Sequence, residues 1–316
     1  MVLNILSFLL GGCWFLIVLC IPFRVNVSHP IALHASNSGE GLYKSALTAA
    51  NFGLLGVDFY ESFENHKRWR IHSQFVELDR KENRAFMKQV NSFFFAEKTG
   101  NEVETKSDYG RSEIDKQQIW LEGNVSIQSK QGFLFTMDRL EYHGKSHEFS
   151  TEEKVEMKGP NVLNPILLLK GTGLWSNIDE EHFIIQKGVT AQKRLKSKQW
   201  LRIQSKKGEF FTQKQMAHFV GEVTAILPMA VLKSDLLVLD AKEGVESLEA
   251  KGAVQLRNRD RVGRAEMAHI QIDSGEMILE GKAKVESRGN EVYGKRIILH
   301  SDEDKIEVED AKGQLK

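Results

Sequence analysis

Beyond the first fifty residues, apolar and polar positions alternate with a period of two along almost the whole chain. Val57, Phe59 and Phe63 precede a turn at Asn65-His66, after which Trp69, Ile71, Ser73 and Phe75 share one face. The alternation returns at Phe93 and Phe95, at Val125 and Ile127, at Phe133, Phe135 and Met137, and at Leu140 and Tyr142, with Gly132 and Gly144 as turn formers. It continues at Phe183 and Ile185, at Ile203 after Trp200, and at Leu236 with Val238. Ile270 with Ile272 and Ile297 with Leu299 complete it. Pro160, Pro165 and Pro228 fall where loops or edge positions are expected. A strand and a turn about every ten residues predict an all-β meander, sandwich or solenoid and argue against βαβ units. In two sheets that spacing gives roughly 13 strands per sheet, or about 60 Å of stack.

A longer period is superimposed on the short one. The phrases LEGNVSIQ at Leu121, VGEVTAIL at Val220, AKGAVQLR at Ala250 and LEGKAKVE at Leu279 share a glycine followed by a short apolar strand. Gly123, Gly159, Gly188, Gly221, Gly252 and Gly281 are spaced by 29 to 36 residues. Such a spacing predicts stacked repeats.

The amino-terminal part has a different pattern. Ile5 to Phe23 carries no charge and Ser7 is its only hydroxyl, so residues 1–23 are expected to form an uncleaved transmembrane helix. It lacks the basic start and short apolar stretch of a secretory signal, and Leu10-Gly11-Gly12-Cys13 comes too early for a lipoprotein cleavage box. Both cysteines, Cys13 and Cys20, lie in this span, which leaves no disulfide framework or cysteine metal site for the body. Residues 24–53 read as a tether rich in small and polar residues, with Ser45–Phe52 too brief to assign as a helix. Arg24 and Lys44 are the only Lys or Arg between positions 24 and 66, a paucity that predicts translocation of the body. A polar connector with Lys193, Arg194, Lys196 and Lys198 divides the body into segments 54–198 and 199–316.

Charge narrows the function. The 316 residues contain 43 Lys and Arg against 43 Asp and Glu, so no global field attracts a polyanion, and nucleic acid is not an expected partner. His143 and His147 bracket Gly144 in a turn, where the four-residue spacing of helical metal sites has no meaning. With no nucleophile elbow, zinc-helix motif or phosphate-cradling loop, neither an enzyme nor a cofactor is expected.

The phrases RWRIHSQFVEL, IWLEGNVSIQSKQGFLFTMDRLEYHG and LLLKGTGLWSNIDEEHFIIQKGV, with Gly171, Gly173 and Leu174 in a late turn, resemble LptC. IQSKKGEFFTQKQMAHFVGEV and GRAEMAHIQIDSGEMILEGKAKV, within Trp200 to Lys316, are similar to LptA. Both belong to the OstA-like family of lipopolysaccharide-transport proteins. The resemblance implies a natural fusion of two bridge segments or one enlarged LptC-like protein. It also implies an open, V-shaped β-jellyroll that holds acyl chains, with its body in the periplasm, its anchor in the inner membrane and an ABC transporter complex as partner.

On that basis Phe93, Phe95, Phe133, Phe135, Phe183, Ile185, Ile203, Ile270, Ile272 and Leu299 are groove candidates; the alternative for each is a closed core. Arg257, Arg259, Arg261 and Arg264, or His66, Lys67, Arg68 and Arg70, are candidates for lipid phosphates or solvated edges. Ile297, Ile306 and Val308 mark an expected terminal edge for strand addition by another LptA-like or outer-membrane jellyroll. Two other readings are a ligand-free anchored filament and a polysaccharide lyase on a β-helical scaffold. The lyase would need acids aligned at the repeat period, and the repeats superimpose glycines and apolar residues instead.

Overall fold

The computed structural model describes residues 23–27, 51–63, 66–79, 81–97, 100–242, 246–301, 305–310 and 312–314. Among them one antiparallel meander runs from end to end. Its first strands are β1 (Phe23–Val27), β2 (Asn51–Phe63), β3 (His66–Asp79), β4 (Arg84–Phe95), β5 (Glu102–Glu113), β6 (Gln118–Ser129), β7 (Leu134–His143), β8 (Glu148–Gly159), β9 (Leu167–Asn177) and β10 (His182–Arg194). There follow β11 (Trp200–Ser205), β12 (Lys207–Phe211), β13 (Met216–Ile226), β14 (Val231–Asp240), β15 (Ser247–Asn258), β16 (Arg261–Gln271), β17 (Glu276–Ser287), β18 (Asn290–His300), β19 (Ile306–Glu309) and β20 (Lys312–Gln314). Each strand pairs with the next, except that β11 and β12 form one broken strand between β10 and β13, and β19 and β20 follow one another end to end along β18.

A single sheet with one apolar face has to cover that face, and no helix does so among the described residues. The sheet covers itself by folding back. Phe94 on β4 and Phe149 on β8 are four strand spacings apart, about 19 Å along a flat sheet, yet their rings meet edge to face with centroids 4.9 Å apart. The inner face therefore forms one continuous core, from Val57 and Phe59 through Tyr142, Phe149 and Phe219 to Ile297 and Leu299.

The fold-back is built into the middle of the strands. In β6, β13, β15 and β17 two consecutive residues take left-handed backbone: Gly123-Asn124, Gly221-Glu222, Gly252-Ala253 and Gly281-Lys282. At each the register shifts, with two residues opposing one on the following strand, as in a β-bulge. The preceding strand turns the same corner without an extra residue, so its inward positions jump by three: Thr105, Ser107, then Gly110 and Ser112 in β5; Leu232, Ser234, then Leu237 and Leu239 in β14. At several corners a buried serine satisfies the backbone that the bend frees, Ser73 donating to the carbonyls of Phe75 and Lys88 at 2.8 Å and Ser107 to that of Tyr109 at 2.8 Å. The glycine is needed twice over at position 252. Its φ is +78°, and an added Cβ would lie 2.5 Å from an Asp235 carboxylate oxygen.

The thirty-residue period is thus a pair of kinked strands. Gly159 does not belong to it, since it ends β8 and meets the Phe133 ring. Most strands of the body are 10 to 14 residues long, so a strand and turn recur about every fifteen residues, not ten. Each kinked strand serves both leaves, which makes the stack longer than the 60 Å expected, on the order of 80 Å. At the start, Phe23–Val27 pairs with Val57–Glu61, so the end of the predicted span and the beginning of the predicted tether join the sheet, as do Asn51 and Phe52. The remainder of the span, both cysteines and the rest of the tether lie outside the described residues. No helix among the described residues is long and apolar enough to cross a membrane.

Gly252→Ala should lower stability by about 2–4 kcal/mol, combining left-handed strain with a clash. Gly289→Ala, at a hairpin with φ +84° and nothing within 4 Å of the added carbon, should cost only about 1 kcal/mol. Urea unfolding midpoints of the two variants check the order; equal losses would remove the close approach of Asp235 from the account.

Candidate functional site

The connector at 193–199 is a tight hairpin, closed by Leu195 N–H to the Gln199 carbonyl at 2.8 Å and Lys198 N–H to the Leu195 carbonyl at 2.9 Å. The sheet runs through it without a break, because Val189–Arg194 of β10 pairs with β11 and His182–Ile185 pairs with β12. On the inner face an aromatic row crosses this seam. Phe135 meets Phe183 edge on at 5.2 Å, Phe183 stacks on Phe210 at 4.6 Å, and Phe210 meets Phe219 edge on at 5.7 Å. On the outer face Trp175, His182, Phe211 and His218 form a second row.

Between the leaves at the seam lies a cavity of about 430 Å³, a size suited to a small ligand or part of a larger one. Phe133, Phe135, Phe149, Leu174, Phe183, Ile203, Phe210 and Phe219 line it. Glu102, Glu181 and Lys193 are the charged residues of the lining.

Polar contacts close the mouth between the leaves on both sides of this cavity. On one side the turn after β4 meets the turn after β9: Asn101 donates to Glu181, and the Glu97 N–H donates to Asp179 at 2.6 Å. Asp179 also holds the buried His147 at 2.8 Å, and Glu61 accepts from Gln117 at 2.9 Å and from the buried Trp69 at 2.6 Å. On the other side Lys193 Nζ reaches Glu246 Oε1 at 2.6 Å, Lys196 reaches Asp273 at 2.9 Å, and Arg261 reaches the His300 carbonyl at 3.4 Å. The cavity occupies the stretch between the two sets, with Gln131, Pro160 and Ile166 on one rim and Thr212 and Gln215 on the other.

Of the groove candidates, the fold brings Phe133, Phe135, Phe183 and Ile203 to the cavity. Ile185, Ile270, Ile272 and Leu299 are packed in the core away from it, at most 7% exposed. Phe93 and Phe95 lie on the opposite face from Phe94, which is fully buried. The inward positions of β4 are Ala85 and Met87, then Val90, Ser92 and Phe94, so the corner shifts the phase by one residue. Polar Asn91 and Glu97 mark the outer register of this run and were the signal for it. Phe149, Leu174, Phe210 and Phe219, absent from the candidates, come to the site only through the fold-back.

The basic clusters divide likewise. Arg68 pairs with Glu97 and Arg70 with Asp58, and Arg261 is buried while Arg257, Arg259 and Arg264 are exposed. His143 and His147 are apart in role, the first near Glu141 at 3.5 Å and the second held by Asp179 among the contacts that close the mouth. Ile297 is buried in β18, which β19 covers, so it is no edge residue; Ile306 and Val308 sit on β19 itself, packed against the core.

The family model for "Lipopolysaccharide-assembly, LptC-related" matches residues 63–194, and that for "LptA/(LptD N-terminal domain) LPS transport protein" matches residues 202–305. The two matches flank the seam hairpin. No curated protein matches the chain. Among solved structures it is similar to LptH, the LptA-homologous periplasmic component of the lipopolysaccharide transport device from Pseudomonas aeruginosa. The identity is 13% and the TM-score 0.35, over 37% of this chain and 94% of that one.

Tyr142 sits beside the mouth contacts of Glu61, Glu97 and Asp179, 1% exposed and ringed by Phe94 and Phe149. Its hydroxyl has no hydrogen-bond partner among the described residues. Burial, then the Glu61 charge, holds its pKa above the ordinary tyrosine range. Tyr142→Phe keeps the ring and removes the orphaned hydroxyl, so stability should stay level or rise by about 1 kcal/mol in urea unfolding. A loss of that size would reveal a partner for the hydroxyl.

Proposed function

Because the chain belongs to the lipopolysaccharide-transport family, as an LptC-related segment continued by an LptA-like one, we propose that it is an anchored periplasmic bridge. It takes lipopolysaccharide from an inner-membrane ABC transporter complex and passes it toward the outer membrane, sheltering acyl chains between the leaves of its sheet. Residues 54–198 and 199–316 are its two jellyroll segments, and the apolar stretch from Ile5 to Phe23 is its inner-membrane helix. The observation that carries the reading is the apolar, aromatic-lined cavity at the seam of two transport segments. At about 0.8 kcal/mol per buried methylene, even part of one acyl chain gains several kcal/mol there. The cavity holds a portion of a multi-acyl lipid at one time, in keeping with a carrier that hands its cargo on. The work of transport belongs to the partner ATPase and not to chemistry in this chain.

The packed core of the second segment favours a competing reading, a filament without ligand, and one variant separates the two. Ala217 lines the cavity and is nearly buried. Ala217→Trp should fill the space, leave the β signal in circular dichroism intact, and reduce photocrosslinking of lipopolysaccharide to the seam by tenfold or more. Unchanged crosslinking would remove the cavity from the lipid path.

β19 has no strand on its far side among the described residues, so it offers unpaired backbone for another jellyroll. Removing residues 304–316 should leave the protein folded and able to accept lipid, yet stop outward delivery. Normal delivery by the truncated protein would refute docking at this edge.

A further inference from the structure

Resting on the seam cavity as an amphiphile site, we infer that Lys193 and Glu246 form a clasp operated by the ligand itself: an anionic head group takes Lys193, releases Glu246, and frees the leaves toward the second segment. Lys193 is in phase with the inward Val189 and Ala191 of β10 and is the only cation among the residues lining the largely apolar cavity, whose other charged residues are Glu102 and Glu181. Its partner comes from the far leaf. Glu246 precedes β15, four strand spacings from β10, and its side chain is 7% exposed.

The pair is poised for exchange. One Glu246 oxygen holds Lys193 at 2.6 Å, while the other is buried with no hydrogen-bond partner among the described residues. A half-satisfied buried carboxylate is costly, so the closed state holds less favourable energy than its short ion pair suggests. A phosphate or carboxylate head beside Lys193 offers the same charge-assisted bond. Glu246, once displaced, regains water at the rim. Binding and clasp opening are then coupled, and the coupling acts in both directions. A neutral amphiphile fills the same cavity without competing for Lys193.

The test uses full-length protein held in amphipol and two probes, dodecyl phosphate and dodecyl maltoside, each below its micelle concentration. Glu246→Gln removes the competitor and should raise affinity for dodecyl phosphate about tenfold, while Lys193→Gln should lower it about tenfold. Affinity for dodecyl maltoside should stay within about twofold in both. Spin labels at Ser197→Cys and Lys242→Cys, in a Cys13→Ser, Cys20→Ser background, report the mouth directly and leave the clasp pair native. The distance between them should lengthen with dodecyl phosphate and not with dodecyl maltoside. If both probes bind but Glu246→Gln leaves their ratio unchanged, or the label distance is the same with phosphate bound, the clasp inference is overturned and the cavity reading stands. If neither probe binds the native protein, the cavity reading itself fails.

Discussion

A one-faced sheet with nothing else to cover it must bury its own apolar side, and the structure follows from how this chain meets that constraint. Flat, twenty strands would leave a long apolar surface in water. Bending each strand near its middle turns one sheet into two facing leaves, with every backbone ladder kept intact on either side of the corner. The bend requires left-handed backbone in mid-strand, an extra residue on alternate strands, and hydroxyls or carboxylates placed where the ladder opens. Corner glycines such as Gly252 are therefore fold-determining, as are the crowded turn glycines Gly132 and Gly275, while Gly289, with open space around it, is a replaceable turn residue.

Bending creates two rims that face each other along the stack, and their chemistry decides where the interior is closed. Carboxylates meet amides, histidine and cations across the rims at both ends of the first segment and along the second. Several of these groups are buried, so their net contribution is reduced by desolvation, while removing one partner leaves an expensive unpaired group. In the stretch without such contacts an apolar cavity remains. The second segment, clasped by Lys196 and Arg261, packs Ile270, Leu279 and Leu299 into a closed core.

The seam is where two transport segments become one body. In-register pairing of β10 with both β11 and β12 makes the junction a continuation of the ladder, and the aromatic row from Phe135 to Phe219 carries the inner surface across it. Neither segment owns the cavity. It exists because strands on both sides of the hairpin contribute rings to one space.

Much could be read from the residues in order. Period-two alternation established an all-β chain, the glycine repeat found five of the corners, at Gly123, Gly188, Gly221, Gly252 and Gly281, and the short phrases pointed to the family that the matches at 63–194 and 202–305 bear out. These features are local, each needing only a few neighbouring residues to be expressed. What the tertiary structure alone decided was which of two equally apolar registers faces inward after a corner, as at Phe93, Phe94 and Phe95, and which residues far apart in the chain share a space. Alternation specifies that a strand has two faces without saying which one a bulge or a three-residue step will turn toward the core. Likewise Lys193 and Glu246 are 53 positions apart, and only the fold-back of the sheet brings a cation at the end of one leaf against a carboxylate at the rim of the other.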